Sequence, residues 1–230
     1  MSPEMKQDLL NLGCLPAKIA VHYHGVPGNL IHIQKTDTTQ KLCTILMLSY
    51  LDPVKGHLFA LKALKAIAKQ GVSEFKLRIV GAGHYEKQIK QFVSAHQLNP
   101  YVDFVGPVKY LSPAYFQEFS NADIFLHPSV KTKDDKEGIP GSLVEAMFAG
   151  LPVISTIHGG IPFVIQDKKT GLLVEEWDVE NLACAIKALM DNRWLRNQIG
   201  NQARKYAESN LDLKIRELAL EKIYNELIGN

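Results

Sequence analysis

The chain has 230 residues, 46% hydrophobic and 22% charged, a composition that fits one folded domain and excludes a disordered or fibrous segment. At this length roughly 70–75% of the unfolded surface should be buried, enough for a full core. A net charge of +2 argues neither for nor against a polyanion, and no nucleic acid partner is expected. Cys14, Cys43 and Cys184 are too scattered for a disulfide framework or a zinc knuckle, so a reducing cytoplasm is the simplest setting. No apolar run approaches the ~20 residues of a membrane span, and Met1-Ser2-Pro3-Glu4 does not open like a signal peptide.

In chain order, residues 3–12 read as a helix and 18–24 as a strand ending at Gly25. His22 and His24 share one face of that strand, but without a third ligand in reach no metal is expected. Residues 29–40 read as linker or strand. Strand-length apolar runs then recur at 42–48, 75–80, 102–105, 123–126, 153–155 and 172–174. Several are apolar at successive positions, as strands covered on both faces are. Helical patterns separate them. Residues 57–70 are rich in Ala, Leu and Lys and stop at Gly71, a C-cap residue. Residues 84–96 place Tyr85, Ile89, Phe92 and Val93 on one face, and 179–190 do the same with Leu182, Ile186 and Met190. Residues 193–209 and 211–227 close the chain as polar-apolar helices. Alternation of strand and helix predicts an α/β fold with a Rossmann-like parallel sheet and helices on both faces. Gly81 and Gly83 start a dinucleotide fingerprint, but Glu86 stands where a third glycine belongs, so a nicotinamide-type site is not favoured.

The most informative stretch runs from Glu137 to Glu145, two carboxylates eight residues apart around Gly138, Ile139, Pro140, Gly141 and Ser142. It reads as the mouth of a helix that ends at Gly150. Pro140 has the φ suited to a first helical turn. Free N–H groups and the helix dipole there favour a bound phosphate. Ionised carboxylates only accept hydrogen bonds, so they suit hydroxyl-rich groups. A nucleotide-sugar fits this layout. Spacing alone also fits plain helix capping by acidic residues.

Residues 137–161 (EGIPGSLVEAMFAGLPVISTIHGGI) resemble the donor-site signature of retaining glycosyltransferases of family 4, which have the two-domain GT-B fold. Residues 49–56 (SYLDPVKG), 78–83 (RIVGAG), 102–108 (VDFVGPV) and 122–129 (ADIFLHPS) resemble further donor-domain motifs in family order. The resemblance implies one half of a GT-B fold. Residues 1–40 would be a remnant of the acceptor domain, 41–192 the nucleotide-sugar-binding domain, and 193–230 C-terminal helices, the last crossing back toward the N-terminal segment.

It also implies roles. Glu137 would accept from donor-sugar hydroxyls, and Lys55 would meet the diphosphate. Main chain around Gly138, Ile139 and Pro140 would face the sugar, and the N–H groups of Gly141, Ser142 and Leu143 the phosphates. Glu145 would take the ribose, and Gly106 to Val108 the nucleobase. Tyr50 stands where the family commonly has Arg, which weakens the grip on the leaving group; Lys131, Lys133 and Lys136, in the loop before Glu137, are the candidate replacements, with a mobile solvated loop as the favoured reading. Phe163 stands where many relatives have Glu. His127 and His158 fall near strand ends beside the site, where ligand contact and structural hydrogen bonding both remain open. The implied substrate is a UDP- or GDP-linked sugar, with no cofactor and no metal. The acceptor, a saccharide or a lipid-linked one, would be held by a missing N-terminal domain. The implied function is surface polysaccharide or glycolipid synthesis in the cytoplasm, with that domain as the route to the inner face of the membrane. The alternative is a non-catalytic nucleotide-sugar-binding half-protein that needs a partner chain.

Overall fold

The computed structural model describes residues 2–31, 33, 42–133 and 135–228. In chain order the main elements are α1 (Pro3–Asn11), β1 (Cys43–Leu48), α2 (His57–Lys69), β2 (Phe75–Val80), α3 (Glu86–Ala95), β3 (Val102–Gly106) and α4 (Pro113–Ser120). They continue with β4 (Ile124–His127), α5 (Gly141–Phe148), β5 (Val153–Thr156), β6 (Leu172–Val174), α6 (Val179–Asp191), α7 (Arg193–Asn210) and α8 (Leu213–Ile228). The six strands form one sheet in the order β3-β2-β1-β4-β5-β6, and every pair is parallel.

Side chains alternate across a strand, so each strand feeds two cores. Ile45 and Met47 of β1 point to one face, where Phe59, Leu64, Ile89 and Ile186 of α2, α3 and α6 are buried against them. Leu46, between them, points to the other, with Phe119, Met147 and Ala203 of α4, α5 and α7. This two-sided burial explains the near-continuous apolar strands. Each fully buried Phe or Leu contributes about 1.5–3 kcal/mol relative to exposure. A bidentate pair fixes α4 on β2: Arg78 donates to both oxygens of Glu118 at 2.9 and 2.8 Å.

Two expectations need correction. Residues 18–24 are not a strand. A short 3₁₀ turn at Pro16–Lys18 leads into irregular chain, and among the described residues the pairing that follows is a single bridge, Val26 to Asp212. Among the described residues no strand lies beside it to take the alternate backbone groups, so the apolar run has no ladder to join. The bridge ties this segment to the start of α8, where Arg216 Nε donates to the Tyr23 carbonyl at 3.2 Å. Second, α5 begins at Gly141, one residue later than the proline rule suggests. Pro140 has an extended ψ of 126° and is the residue before the helix. Of residues 29–40, Gly28–Leu30 covers the start as a 3₁₀ turn, and most of the rest lies outside the described residues. Helix α4 was not anticipated, although Ser112-Pro113 carries the signal: Ser112 Oγ accepts from Tyr115 N at 3.3 Å, with proline in the first turn. No described helix is long and apolar enough to cross a membrane.

Candidate functional site

The strand order reverses at β1, which has β2 on one side and β4 on the other. At such a switch point the loops after two adjacent strands turn opposite ways and leave a crevice at the carboxyl edge. A cleft of about 570 Å³ opens there. Ser49, Tyr50 and Lys55 enter it from the loop after β1, and Gly81 and Ala82 from the loop after β2. Pro107 and Val108 follow β3, and His127 ends β4. Glu137, Ile139, Pro140, Gly141 and Ser142 form the wall before and at the start of α5.

Lys55 is held by a tight turn. Asp52 Oδ1 accepts from Val54 N at 3.0 Å, and Gly56 follows with φ +70°. A Cβ at Gly56 would lie 1.7 Å from the Pro128 carbonyl oxygen, so only glycine lets this turn close on the chain after β4. That closure brings Lys55 Nζ to 2.5 Å from Glu137 Oε2. The same oxygen lies 3.3 Å from Ser129 Oγ and 3.4 Å from His127 Nε2. Burial pushes the Glu137 carboxyl up, but the His127 hydrogen bond and the Lys55 charge outweigh it and hold it well below the usual carboxylate range. Burial lowers the pKa of His127 itself, so the ring is neutral and gives Glu137 one N–H. Behind it, His57 is fully buried, with Nε2 3.5 Å from Ser49 Oγ and its pKa pushed down to about 3 by burial and by the neighbouring His127.

Side chains of Ser2, Ser112, Asp178 and Asn192 cap α1, α4, α6 and α7, whereas no described side chain caps α2, α3 or α5. Of these uncapped helices, α5 is the one that opens on the cleft with its first residues. Gly141 and Ser142 line the cleft at this uncapped end. Its first-turn N–H groups and dipole are available to an anion beside Lys55.

The other expected residues sort as follows. Leu143 has a fully buried side chain, so only its main chain is available to a ligand. The Gly106 carbonyl accepts from Gly81 N at 2.9 Å, and the wall after β3 is made by Pro107 and Val108 instead. The Gly138 carbonyl accepts from Gly160 N at 3.0 Å. Glu145 is withdrawn from the open wall. It is 4% exposed, and its carboxylate accepts from the Tyr115 hydroxyl, with the Tyr110 hydroxyl also bonded to it. These two tyrosines, stacked edge to face at 5.2 Å, line the cleft in its place. Tyr50 sits on the rim, largely exposed. None of Lys131, Lys133 and Lys136 lines the cleft. Lys136 is instead paired with Glu4 at 3.2 Å and with Asp8. His158 lies behind the wall, where Nε2 accepts from Glu137 N at 2.9 Å. Tyr110, Tyr115 and Ser129 were not among the expected residues.

Sheet order, helices on both faces and a crevice at the switch point define one half of a GT-B glycosyltransferase fold. The family model for glycosyl transferases group 1 matches residues 30–206, and the chain belongs to that family. It is 32% identical over 205 residues to a putative colanic acid biosynthesis glycosyltransferase, WcaL, of Salmonella typhimurium, covering 87% of this chain and 49% of that protein. It is 35% identical over 184 residues to the amylovoran biosynthesis glycosyltransferase AmsK of Erwinia amylovora, covering 79% of this chain and 44% of that one. The chain thus spans about half the length of these curated relatives. Among solved structures, Anabaena Alr3699/HepE in complex with UDP and glucose superposes with a TM-score of 0.82 at 21% identity, over 97% of this chain and 61% of that one. The C-terminal domain of LpcC, a glycosyl transferase group 1 family protein of Francisella tularensis, superposes with a TM-score of 0.68 at 19% identity, over 82% of this chain and all of that one.

Proposed function

We propose that this chain is the donor-binding half of a retaining glycosyltransferase that uses a UDP- or GDP-linked sugar in surface polysaccharide or glycolipid synthesis. One observation carries this reading: Lys55 and Glu137 meet at 2.5 Å beside the uncapped start of α5, inside the switch-point crevice. A diphosphate there would draw on the Lys55 ammonium and the N–H groups of Gly141, Ser142 and Leu143. Glu137, freed from part of its hold on Lys55, would accept from hydroxyls of the sugar. Val108 and Pro107 would lie against the base, and Tyr110 and Tyr115, carried by Glu145, would face the ribose side. The transferred sugar passes through an oxocarbenium-like state. The work of these residues is then to position it and to stabilise the departing diphosphate, with the donor as substrate and no resident cofactor. Similarity to enzymes named for colanic acid and amylovoran biosynthesis supports the polysaccharide assignment.

A second domain would hold the saccharide or lipid-linked acceptor and could bring it to the inner face of a membrane from the cytoplasm. Tyr50, standing on the exposed rim where the family commonly has an arginine, favours a second reading: a non-catalytic nucleotide-sugar-binding half that needs a partner chain. Calorimetry with UDP and GDP tests what the two readings share. Weak binding of one of them is expected, and no heat from either at millimolar ligand would remove both readings. Transfer assays then separate them. We expect no sugar transfer by the 230-residue chain alone and slow donor hydrolysis at most. Hydrolysis favours the enzyme half, and its absence favours the binding half.

A further inference from the structure

The wall that carries Glu137 is held from behind by groups that never reach the cleft. His158, on the loop after β5, is 4% exposed and accepts the Glu137 peptide N–H on Nε2 at 2.9 Å. Its Nδ1 lies 2.7 Å from Glu176 Oε1, on the connection between β6 and α6. A neutral imidazole carries one proton, and with Nε2 accepting, that proton sits on Nδ1 and is donated to Glu176. The second oxygen of Glu176 accepts from Lys131 N at 2.5 Å. One carboxylate therefore anchors two points of the connection between β4 and α5, Lys131 directly and Glu137 through the imidazole.

The backbone makes the same contact. Gly159 has φ +54°, and a Cβ there would lie 1.9 Å from the Glu137 carbonyl oxygen. The neighbouring Gly160 N donates to the Gly138 carbonyl at 3.0 Å. The loop after β5 thus seats main chain directly against the Glu137 and Gly138 carbonyls, beside the Ile139 side chain.

We infer that His158 and Glu176 are positioning residues for Glu137. They set the main chain from which its carboxylate reaches Lys55 and the donor sugar, in a hydrogen-bonded line from Glu176 through His158 to the Glu137 amide. Because this rests on Glu137 facing the sugar, the test compares a nucleotide with and without one. Calorimetry on the full chain would use UDP with UDP-glucose, and GDP with GDP-mannose, for wild type, His158→Leu and His158→Gln. The leucine variant should lose about tenfold in affinity for the sugar nucleotide, a modest cost for a misplaced contact group, with affinity for the bare diphosphate unchanged. The glutamine variant can offer an amide oxygen near the position of Nε2 and should recover most of that loss. Nitrogen-15 spectra of histidine-labelled wild-type protein should show His158 as the neutral Nδ1–H tautomer, a signature that packing alone does not impose.

Equal losses for diphosphate and sugar nucleotide, no loss in the leucine variant, no recovery with glutamine, or an Nε2–H tautomer would each overturn the assignment while wild-type nucleotide binding leaves the donor site standing. If wild type binds neither pair, the donor site itself is wrong and this positioning role falls with it. Should the leucine variant not fold, the glutamine variant and the tautomer still decide: poor sugar-nucleotide binding by glutamine or the wrong tautomer refutes it.

Discussion

Glu137 and Glu145 stand at the two ends of one short stretch and are both nearly out of water, yet the molecule treats them oppositely. Burial pushes both carboxyls upward. At Glu137 the His127 hydrogen bond and the Lys55 charge outweigh it, and the pKa is held at about 2. At Glu145 the partners are the neutral hydroxyls of Tyr115 and Tyr110, which do not outweigh burial, and the pKa stays raised. The first is a fixed charge held against a cation. The second is an acceptor that holds two aromatic rings in the wall. The difference teaches that the same side chain at a helix mouth takes its chemistry from what the neighbouring strands bring to it.

Removing the cation should erase much of that difference. Lys55→Ala is expected to weaken UDP or GDP binding by about 1–3 kcal/mol, the range for a charge-assisted hydrogen bond. Uridine and guanosine, which have no phosphate, should bind nearly as before. Calorimetry with diphosphate and nucleoside side by side checks this, and equal losses for both would show that Lys55 supports its turn rather than the ligand.

The two carboxylates should also tilt stability against pH in opposite senses. A pKa held at about 2 in the folded state means that Glu137 contributes stability above the ordinary carboxylate value of about 4.3, and that this is lost as pH falls toward 2. Glu137→Gln should therefore cost about 1–2 kcal/mol at pH 7, or roughly 2–8 °C in melting temperature. The gap from wild type should close between about pH 5 and pH 2. Melting curves across that range decide it, and a gap that stays constant would mean the loss is not ionic.

Glu145 has the reverse sign. Its raised pKa means that its contribution is present below the ordinary value and is lost as pH rises through the folded one. Glu145→Gln keeps an acceptor for Tyr115 and removes a disfavoured charge. It should leave stability unchanged or raise it by up to about 1 kcal/mol at pH 7, with no gain in acid. A clear loss at neutral pH in urea titrations would contradict the assigned sign.

The smallest effect is expected at Tyr50. Tyr50→Arg adds a guanidinium that can grip two phosphate oxygens, but the site is 59% exposed. A gain of about 0.5–1 kcal/mol in diphosphate affinity, shrinking in high salt, is expected from titrations at two ionic strengths. No gain at low salt would place the rim too far from the phosphates.

The sheet was legible because two-sided burial writes itself into a strand as unbroken apolar sequence. Residues 124–126 show it in β4, which is buried throughout, whereas 75–80 and 172–174, anticipated to the residue as β2 and β6, are half-buried at alternate or outer positions, with Lys76 and Arg78 interrupting β2. Residues 18–24 show the limit. Their pattern is strand-like, but a strand needs a neighbour, and the neighbour is decided by the whole fold. In the site, the family resemblance put Lys55 and Glu137 near one another, and the cleft holds both, while helix-start chemistry placed the start of α5 one residue early. The partners of Glu145 were not readable, because Tyr115 lies 30 residues away on another helix. Nor was the line from Glu176 to Glu137. It exists because β4, β5 and β6 run parallel side by side and deliver their exits to one edge.

That parallel arrangement also governs when the cleft can come into being. Each strand returns to the same edge only after a full crossover, so the ion pair between Lys55 and Glu137 joins groups 82 residues apart. Closing so long a loop costs entropy before any contact repays it, and folds dominated by such contacts assemble slowly. A refolding chain should therefore gain helix first and ligand competence last. Stopped-flow refolding in the presence of a fluorescent nucleoside diphosphate would show binding only in the slowest phase, after most of the far-ultraviolet circular dichroism has returned.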